Sequence, residues 1–250
     1  MHIKEVITKN IIYKIRRRIP IHKKTSESLR LGILLAAVGG FLDAYTFICR
    51  GGVFANAETG NIVLVALAIT KRNYKDVFMA ALPILAFVAG VLVTEIIRER
   101  SINNYEESTK AEKFILIIEA VVLFIVGFIP TTIPHIFVTT TIAFVSSVQI
   151  SSFRRLVDSP YSTTMCTGNL RVASQSAYLA IIKKDKSASS RSFRYIIVIF
   201  SFLFGASLGG ILTTRLGVKS IWICSLILIV SNILFSIDEY RFMEKGIISH

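Results

Sequence analysis

Five stretches of this 250-residue chain, near 29–49, 77–97, 114–133, 194–214 and 217–236, are each apolar over the length that a membrane crossing needs. A hydrocarbon slab of about 30 Å takes roughly 20 helical residues. Few structures can use such runs. In lipid a backbone amide finds no water, so each segment must satisfy its own hydrogen bonds. The runs lack the two-residue alternation of a barrel strand, and helices remain. Shorter or more polar candidates lie at 53–70, 135–153 and 161–182. A mean hydropathy of +0.62, with 53% hydrophobic residues, exceeds what a soluble domain needs for its core. The expected fold is all-α, a polytopic transmembrane helix bundle.

The chain also repeats itself. Thr59-Gly60-Asn61 and Thr167-Gly168-Asn169 open two of the shorter apolar segments, at equivalent places in the two halves. Upstream, residues 40–47 can be laid on 146–153 with a shift of about two residues, which sets Asp43 opposite Gln149. The organisation read from this is a basic tail (1–28), one transmembrane domain (29–236) built of four-helix repeats 29–134 and 135–236, and a short tail (237–250).

Charge orients the chain. The formal net charge of +13 sits between and outside the apolar runs, which is membrane topology and not a nucleic-acid surface. Residues 1–30 carry nine Lys or Arg against Glu5 and Glu27, so this end is expected in the cytoplasm. The same rule puts Lys71, Arg72 and Lys75 inside, along with Lys183, Lys184, Lys186, Arg191 and Arg194. Both Thr-Gly-Asn segments would then run towards the cytoplasm, giving eight membrane segments with both termini inside a bacterial cytoplasmic membrane. The loop 98–113 strains that count, because Arg98, Arg100, Lys110 and Lys113 would face out. If this loop is cytoplasmic, the first Thr-Gly-Asn segment is re-entrant and the count falls towards six or seven.

No cleavable signal is expected, since the basic stretch is long and no small-residue cleavage pattern follows the first run. Within the tail, Ile3, Val6, Ile7 and Ile11 have helical spacing among cations. This suits a short helix on an anionic leaflet or a disordered tail that sets topology. Cys49, Cys166 and Cys224 are isolated thiols read as packing residues, and the four histidines are scattered. No metal site or cofactor is expected.

The chemistry concentrates around the tripeptides. Gly51 and Gly52 interrupt the chain before the first copy, and Asp158-Ser159-Pro160 before the second. Each leaves only a partial span behind it at 1.5 Å per residue. A helix that starts inside the bilayer offers free amides and the positive end of its dipole. Thr can cap it, Gly lets a ligand approach, and Asn supplies a donor and an acceptor. Interrupted helices in matching places point to a transporter-like site; the plainer reading is two caps or two close helix contacts through Gly. The candidate binding residues are therefore Asp43, Glu58, Thr59, Gly60, Asn61, Gln149, Thr167, Gly168, Asn169 and Arg171. A carboxylate at the depth of Asp43 is costly unless paired or protonated. An ion pair from Arg171 to Asp43 or Glu58 would answer that cost, or Arg171 would anchor an anion. Glu95 and Glu119 are read as structural, able to snorkel, and Arg154 and Arg155 as a possible outer entrance for anions. Gly39-Gly40, Ala86 with Gly90, and the small residues 205–210 fit close helix packing.

Phe41-Leu42-Asp43-Ala44-Tyr45, Gly52-Val53-Phe54, both Thr-Gly-Asn copies and Gln149 together resemble the YoaK family of small bacterial multi-pass membrane proteins, over about residues 29–236. The resemblance implies a transmembrane domain of unknown function and carries over no substrate or catalytic residue. It leads one to expect a neutral pair such as Asn-Gln before the first tripeptide, where this chain has Ala57-Glu58.

The leading expectation is a transporter or permease for a small polar or anionic solute, coupled to protons through Asp43, its two half-helices meeting near the midplane. No nucleotide-binding motif is present, so a gradient would supply the energy. One alternative is an intramembrane enzyme on a lipid-linked substrate, which the absence of His-Glu zinc spacing, a Gly-x-Ser-x-Gly turn and a paired-aspartate motif opposes. Another is a noncatalytic scaffold that binds lipid or a partner through the basic tail. Membrane lipids, the solute and protons are the expected partners.

Overall fold

The computed structural model describes residues 25–101, 105–157 and 159–244. Residues 1–24 of the basic tail, with the surface helix expected in it, lie outside them. Eight α-helices make up the described fold. They are α1 (Leu29–Cys49), α2 (Glu58–Thr70), α3 (Tyr74–Ser101), α4 (Tyr105–Val126), α5 (His135–Ser152), α6 (Cys166–Ile182), α7 (Lys186–Leu216) and α8 (Trp222–Glu244). A two-residue hairpin, β1 (Arg155–Leu156) with β2 (Ser159–Pro160), joins α5 to α6. By length and composition Leu29–Cys49, Tyr74–Arg100 and Lys186–Tyr240 can cross a membrane, and Glu58–Thr70 is a shorter apolar helix. The last helix runs to Glu244, eight residues beyond the boundary read from hydropathy.

Local chemistry fixes several ends. The Ser28 hydroxyl accepts from the Leu31 amide at the start of α1, and the Asp185 carboxylate accepts from Ser187 and Ala188 at the start of α7. The helices α2 and α6 start one residue before each tripeptide Thr, after Ala57 and Met165, which make no side-chain cap. Thr59 and Thr167 are thus first-turn residues and not caps.

The principal packing pairs are α1 with α7, α3 with α5, α2 with α3, α6 with α7, α4 with α8, α1 with α8 and α4 with α5. Exchanging α1 for α5, α2 for α6, α3 for α7 and α4 for α8 leaves this set unchanged. The two four-helix halves are therefore interlocked, since the first helix of each packs on the third helix of the other. Small residues make both crossings. A Cβ on Gly205 would strike the Ala37 backbone, and one on Gly209 would meet the Phe41 backbone; in the other half a Cβ on Gly90 would strike Ser147.

The contacts also give directions. Gly205 faces Ala37 and Gly209 faces Phe41, so α1 and α7 run the same way. Gly90 faces Ser147, and Glu95 near the end of α3 meets Arg154 just after α5, so α3 and α5 also agree. Trp222 Nε1 donates to the Phe124 carbonyl and Asn232 Nδ2 to the Lys113 carbonyl, so α4 and α8 are antiparallel. Helices exchanged by the repeat therefore point in opposite directions. That arrangement is an inverted-topology repeat.

This geometry departs from the charge reading in one respect. Gly51 bears against His135 at the start of α5, while Arg30 at the start of α1 meets Asp238 near the end of α8. Lys71, Arg72 and Lys75 thus lie at the end where α1 finishes, and Lys183, Lys184 and Lys186 at the end where it begins. The helices α2 and α6 run in opposite directions, each returning to the end its own lead-in came from. Hydropathy and charge cannot tell a hairpin that dips into the bundle from a segment that crosses it.

Candidate functional site

The dip after α1 is built from one face of that helix. Gly51 and Gly52 have φ of +91° and +75°, left-handed values that reverse the chain. The chain then runs back down α1. Ala55 N donates to Thr46 Oγ1 at 3.4 Å, Asn56 N to Asp43 Oδ1 at 3.2 Å, and Asn56 Nδ2 to the Gly39 carbonyl at 2.8 Å. Residues 39, 43 and 46 share a face of a 3.6-residue helix, which is why they can hold one returning loop. Asp43 is 6% exposed, and one of its oxygens is committed to this loop.

From there α2 starts beside Asp43. Glu58, in its first turn, accepts from Asn61 Nδ2 through Oε2 at 2.7 Å and lies within electrostatic range of Asp43. Asn61 is 1% exposed. Several oxygens here have no partner: Asn56 Oδ1, Glu58 Oε1, Asn61 Oδ1, and across the centre Thr163 Oγ1. A buried acceptor left unmade costs about 1–3 kcal/mol.

The second dip ends against the first. A Cβ on Gly39 would overlap Thr164 Cγ2 at 2.6 Å, so that glycine admits the second lead-in. Thr164 Oγ1 donates to the Asn56 carbonyl at 3.5 Å. In the tripeptide register, residues 56 and 164 are equivalent positions. The lead-ins therefore meet, and not the Thr-Gly-Asn helices themselves, which form no principal packing pair.

The second half is closed where the first is open. Asn169 Nδ2 donates to the Ser162 carbonyl at 2.6 Å, and Asn169 Oδ1 accepts from Ser162 N at 3.4 Å. Ser162 Oγ accepts from Thr164 N and Met165 N. Gln149, opposite Asp43 in the repeat, donates Nε2 to Glu119 at 3.0 and 3.3 Å. Glu119 is buried at 1% exposure and does not snorkel as its place in the sequence had led us to expect.

The remaining candidates stand apart. Thr59, Thr167 and Gly168 are exposed, and Gly60 is half-buried. A Cβ at Gly168 would meet nothing within 4 Å, and one at Gly60 only Phe54, so neither glycine serves close packing. Arg171 is exposed, and among the described residues no ion pair joins it to Asp43 or Glu58. Arg154 and Arg155 pair with Glu95 and Glu27 at the end where α1 begins. Arg50 was not singled out from the sequence. It is 1% exposed, with its guanidinium on the Tyr45 hydroxyl and on the Ile129 and Pro130 carbonyls, and it locks the opposite end. A groove of about 550 Å³ between α4 and α8 is nearly all apolar and shares no residue with the Asp43 cluster. Among the described residues no group of three or more His, Cys, Asp or Glu could hold a metal ion.

No solved structure matches the chain. It is 31% identical over 142 residues to the UPF0700 transmembrane protein YoaK of Bacillus subtilis (strain 168), an alignment covering 55% of this chain and 61% of that protein. The chain thus spans less than two thirds of the length of that relative. The family described as "Protein of unknown function (DUF1275)" matches residues 31–234, most of the sequence, and its span takes in both dips and reaches into all eight helices. The chain belongs to this family of membrane proteins, the DUF1275 family.

Proposed function

We propose that the protein is a transporter of small polar solutes, with six crossing helices and two re-entrant hairpins arranged as an inverted repeat. The observation that carries this is the meeting of the lead-ins at Asn56 and Thr164, beside the buried Asp43 carboxylate and the unpartnered oxygens of Asn56, Glu58 and Asn61. Inverted repeats support alternating access, because either half can take the conformation of the other. A scaffold has no use for buried acceptors that cost stability and bond to nothing.

Orientation follows from charge. Arg30, Arg98, Lys110, Lys113, Arg154, Arg155, Lys183 and Lys184 gather at the end where α1 begins, which the positive-inside rule assigns to the cytoplasm. The described chain ends, near Thr25 and Glu244, lie on that side. The loop 98–113, out of place in an eight-segment count, then obeys the rule.

The test is flux in proteoliposomes of purified protein, against a panel of sodium, ammonium, acetate, phosphate and amino acids. Uptake of at least one solute above protein-free vesicles, reduced at least tenfold in Asn61→Ala, is the expected result. Absence of flux for every solute, from protein that melts cooperatively in the same detergent, would sink the carrier reading in favour of a scaffold.

A further inference from the structure

We infer that the first dip forms a binding site for a small monovalent cation, an alkali ion or a primary ammonium group, held by Asp43, Asn56, Glu58 and Asn61. The inference rests on the carrier reading and names its substrate or coupling class. It also departs from an anionic solute, for reasons of donor chemistry.

Every unpartnered buried side-chain atom at this junction is an oxygen. The Glu58–Asn61 hydrogen bond uses the amide nitrogen, so Asn61 Oδ1 is left buried without a donor. Asn56 likewise directs its nitrogen to the Gly39 carbonyl and leaves Oδ1 unmade. Glu58 keeps Oε1 free. Asn56 and Asn61 are 2% and 1% exposed, so protein and not solvent surrounds these atoms. Thr163 Oγ1, also buried and unpartnered, belongs to the lead-in that bears on Gly39. Amide, hydroxyl and carboxylate oxygens together form the ligand set of a hard cation or an ammonium donor. An anion would find two carboxylates and no cation paired with either among the described residues.

The second half acts as an internal control. Asn169, at the same motif position as Asn61, has both amide atoms bonded to Ser162. Gln149, a neutral amide at the position of Asp43, is occupied with Glu119. Among the described residues, the unmade oxygens near Gln149 and Asn169 are hydroxyls, Ser146 Oγ and Thr163 Oγ1, and not amides or carboxylates, so the site is placed in the first half.

The test uses the full chain, purified in detergent, titrated with sodium, potassium, ammonium or methylammonium chloride against choline chloride as the bulky control. Melting temperature reports binding, and the same cations are then assayed for flux in proteoliposomes. Asp43→Asn and Glu58→Gln remove charge while keeping an acceptor for Asn56 N and for Asn61 Nδ2, so each should fold. The exposed Lys75→Ala is the control. We expect one cation to stabilise wild type saturably over choline, with affinity at least tenfold weaker in Asp43→Asn and Glu58→Gln and unchanged in Lys75→Ala. If no cation acts differently from choline, or the charge variants respond as wild type does, the site is wrong. Cation binding without flux of any solute keeps the site and removes the carrier; flux of an anion indifferent to these cations and to both variants keeps the carrier and removes the site.

Discussion

Asn169 uses both ends of its amide on Ser162, while Asn61 donates to Glu58 and accepts from nothing. The contrast sets opposite outcomes for one substitution. Asn169→Ala leaves a buried carbonyl and amide of Ser162 unpaired and should cost about 1–3 kcal/mol. Asn61→Ala removes an acceptor that had no donor but also the Nδ2 donor to Glu58, so it should cost about 1–3 kcal/mol as well, and only there should the cation response disappear. Reversible denaturation in detergent with and without the cation compares the two, and a cation response lost equally in both would undo the asymmetry. Arg50 presents a different case, a buried guanidinium whose donors end on a phenol and two carbonyls. Arg50→Ala should destabilise by about 2–4 kcal/mol, with little recovery in Arg50→Lys, because an ammonium cannot span the same fork. Full rescue by lysine would mean that charge alone matters there. Asp43, Glu58 and Asn61 could be singled out from the sequence because polar residues in an apolar context are conspicuous. The orphan oxygens could not, since they depend on which way each amide is turned.

Two helix crossings, α1 on α7 and α3 on α5, hold the interlocked halves, and both depend on the absence of side chains. Gly205→Ala should lower the melting temperature, because a Cβ there strikes the Ala37 backbone, which has no free torsion by which to yield. Gly210→Ala, with nothing within 4 Å, should leave it unchanged or raise it through helix propensity of up to about 1 kcal/mol. Thermal melts of the two variants decide this, and equal behaviour would mean that the crossing is looser than described. Hydropathy located the long helices because burial in lipid demands apolar composition over a full span. It could not pair them, as all apolar faces look alike along one chain. The dips were visible as glycines and short runs, but their return course depends on hydrogen bonds from residues 55 and 56 to α1.

At the level of the whole molecule, the two half-helices end on opposite faces. In a background with Cys49, Cys166 and Cys224 replaced, single cysteines at Asn73 and Ser187 should react with an impermeant maleimide from opposite sides of intact vesicles. Labelling from the same side would restore the parallel repeat read from charge. The two readings differ because the positive-inside rule counts basic residues without knowing which segments cross, and a dip shifts the parity of everything after it. Interlocking has a further consequence for how a ribosome delivers this protein. The α3–α5 crossing is complete soon after Ser147 emerges, but α1 waits for Gly205, about 170 residues after Ala37. At synthesis rates of about 5–20 residues per second, α1 spends roughly ten to thirty seconds in the bilayer with the backbone of Gly39 and Gly40 uncovered and the Asp43 loop already dipped against it. During that interval the half that carries the charge is a guest of the insertion machinery, and only the seventh helix releases it.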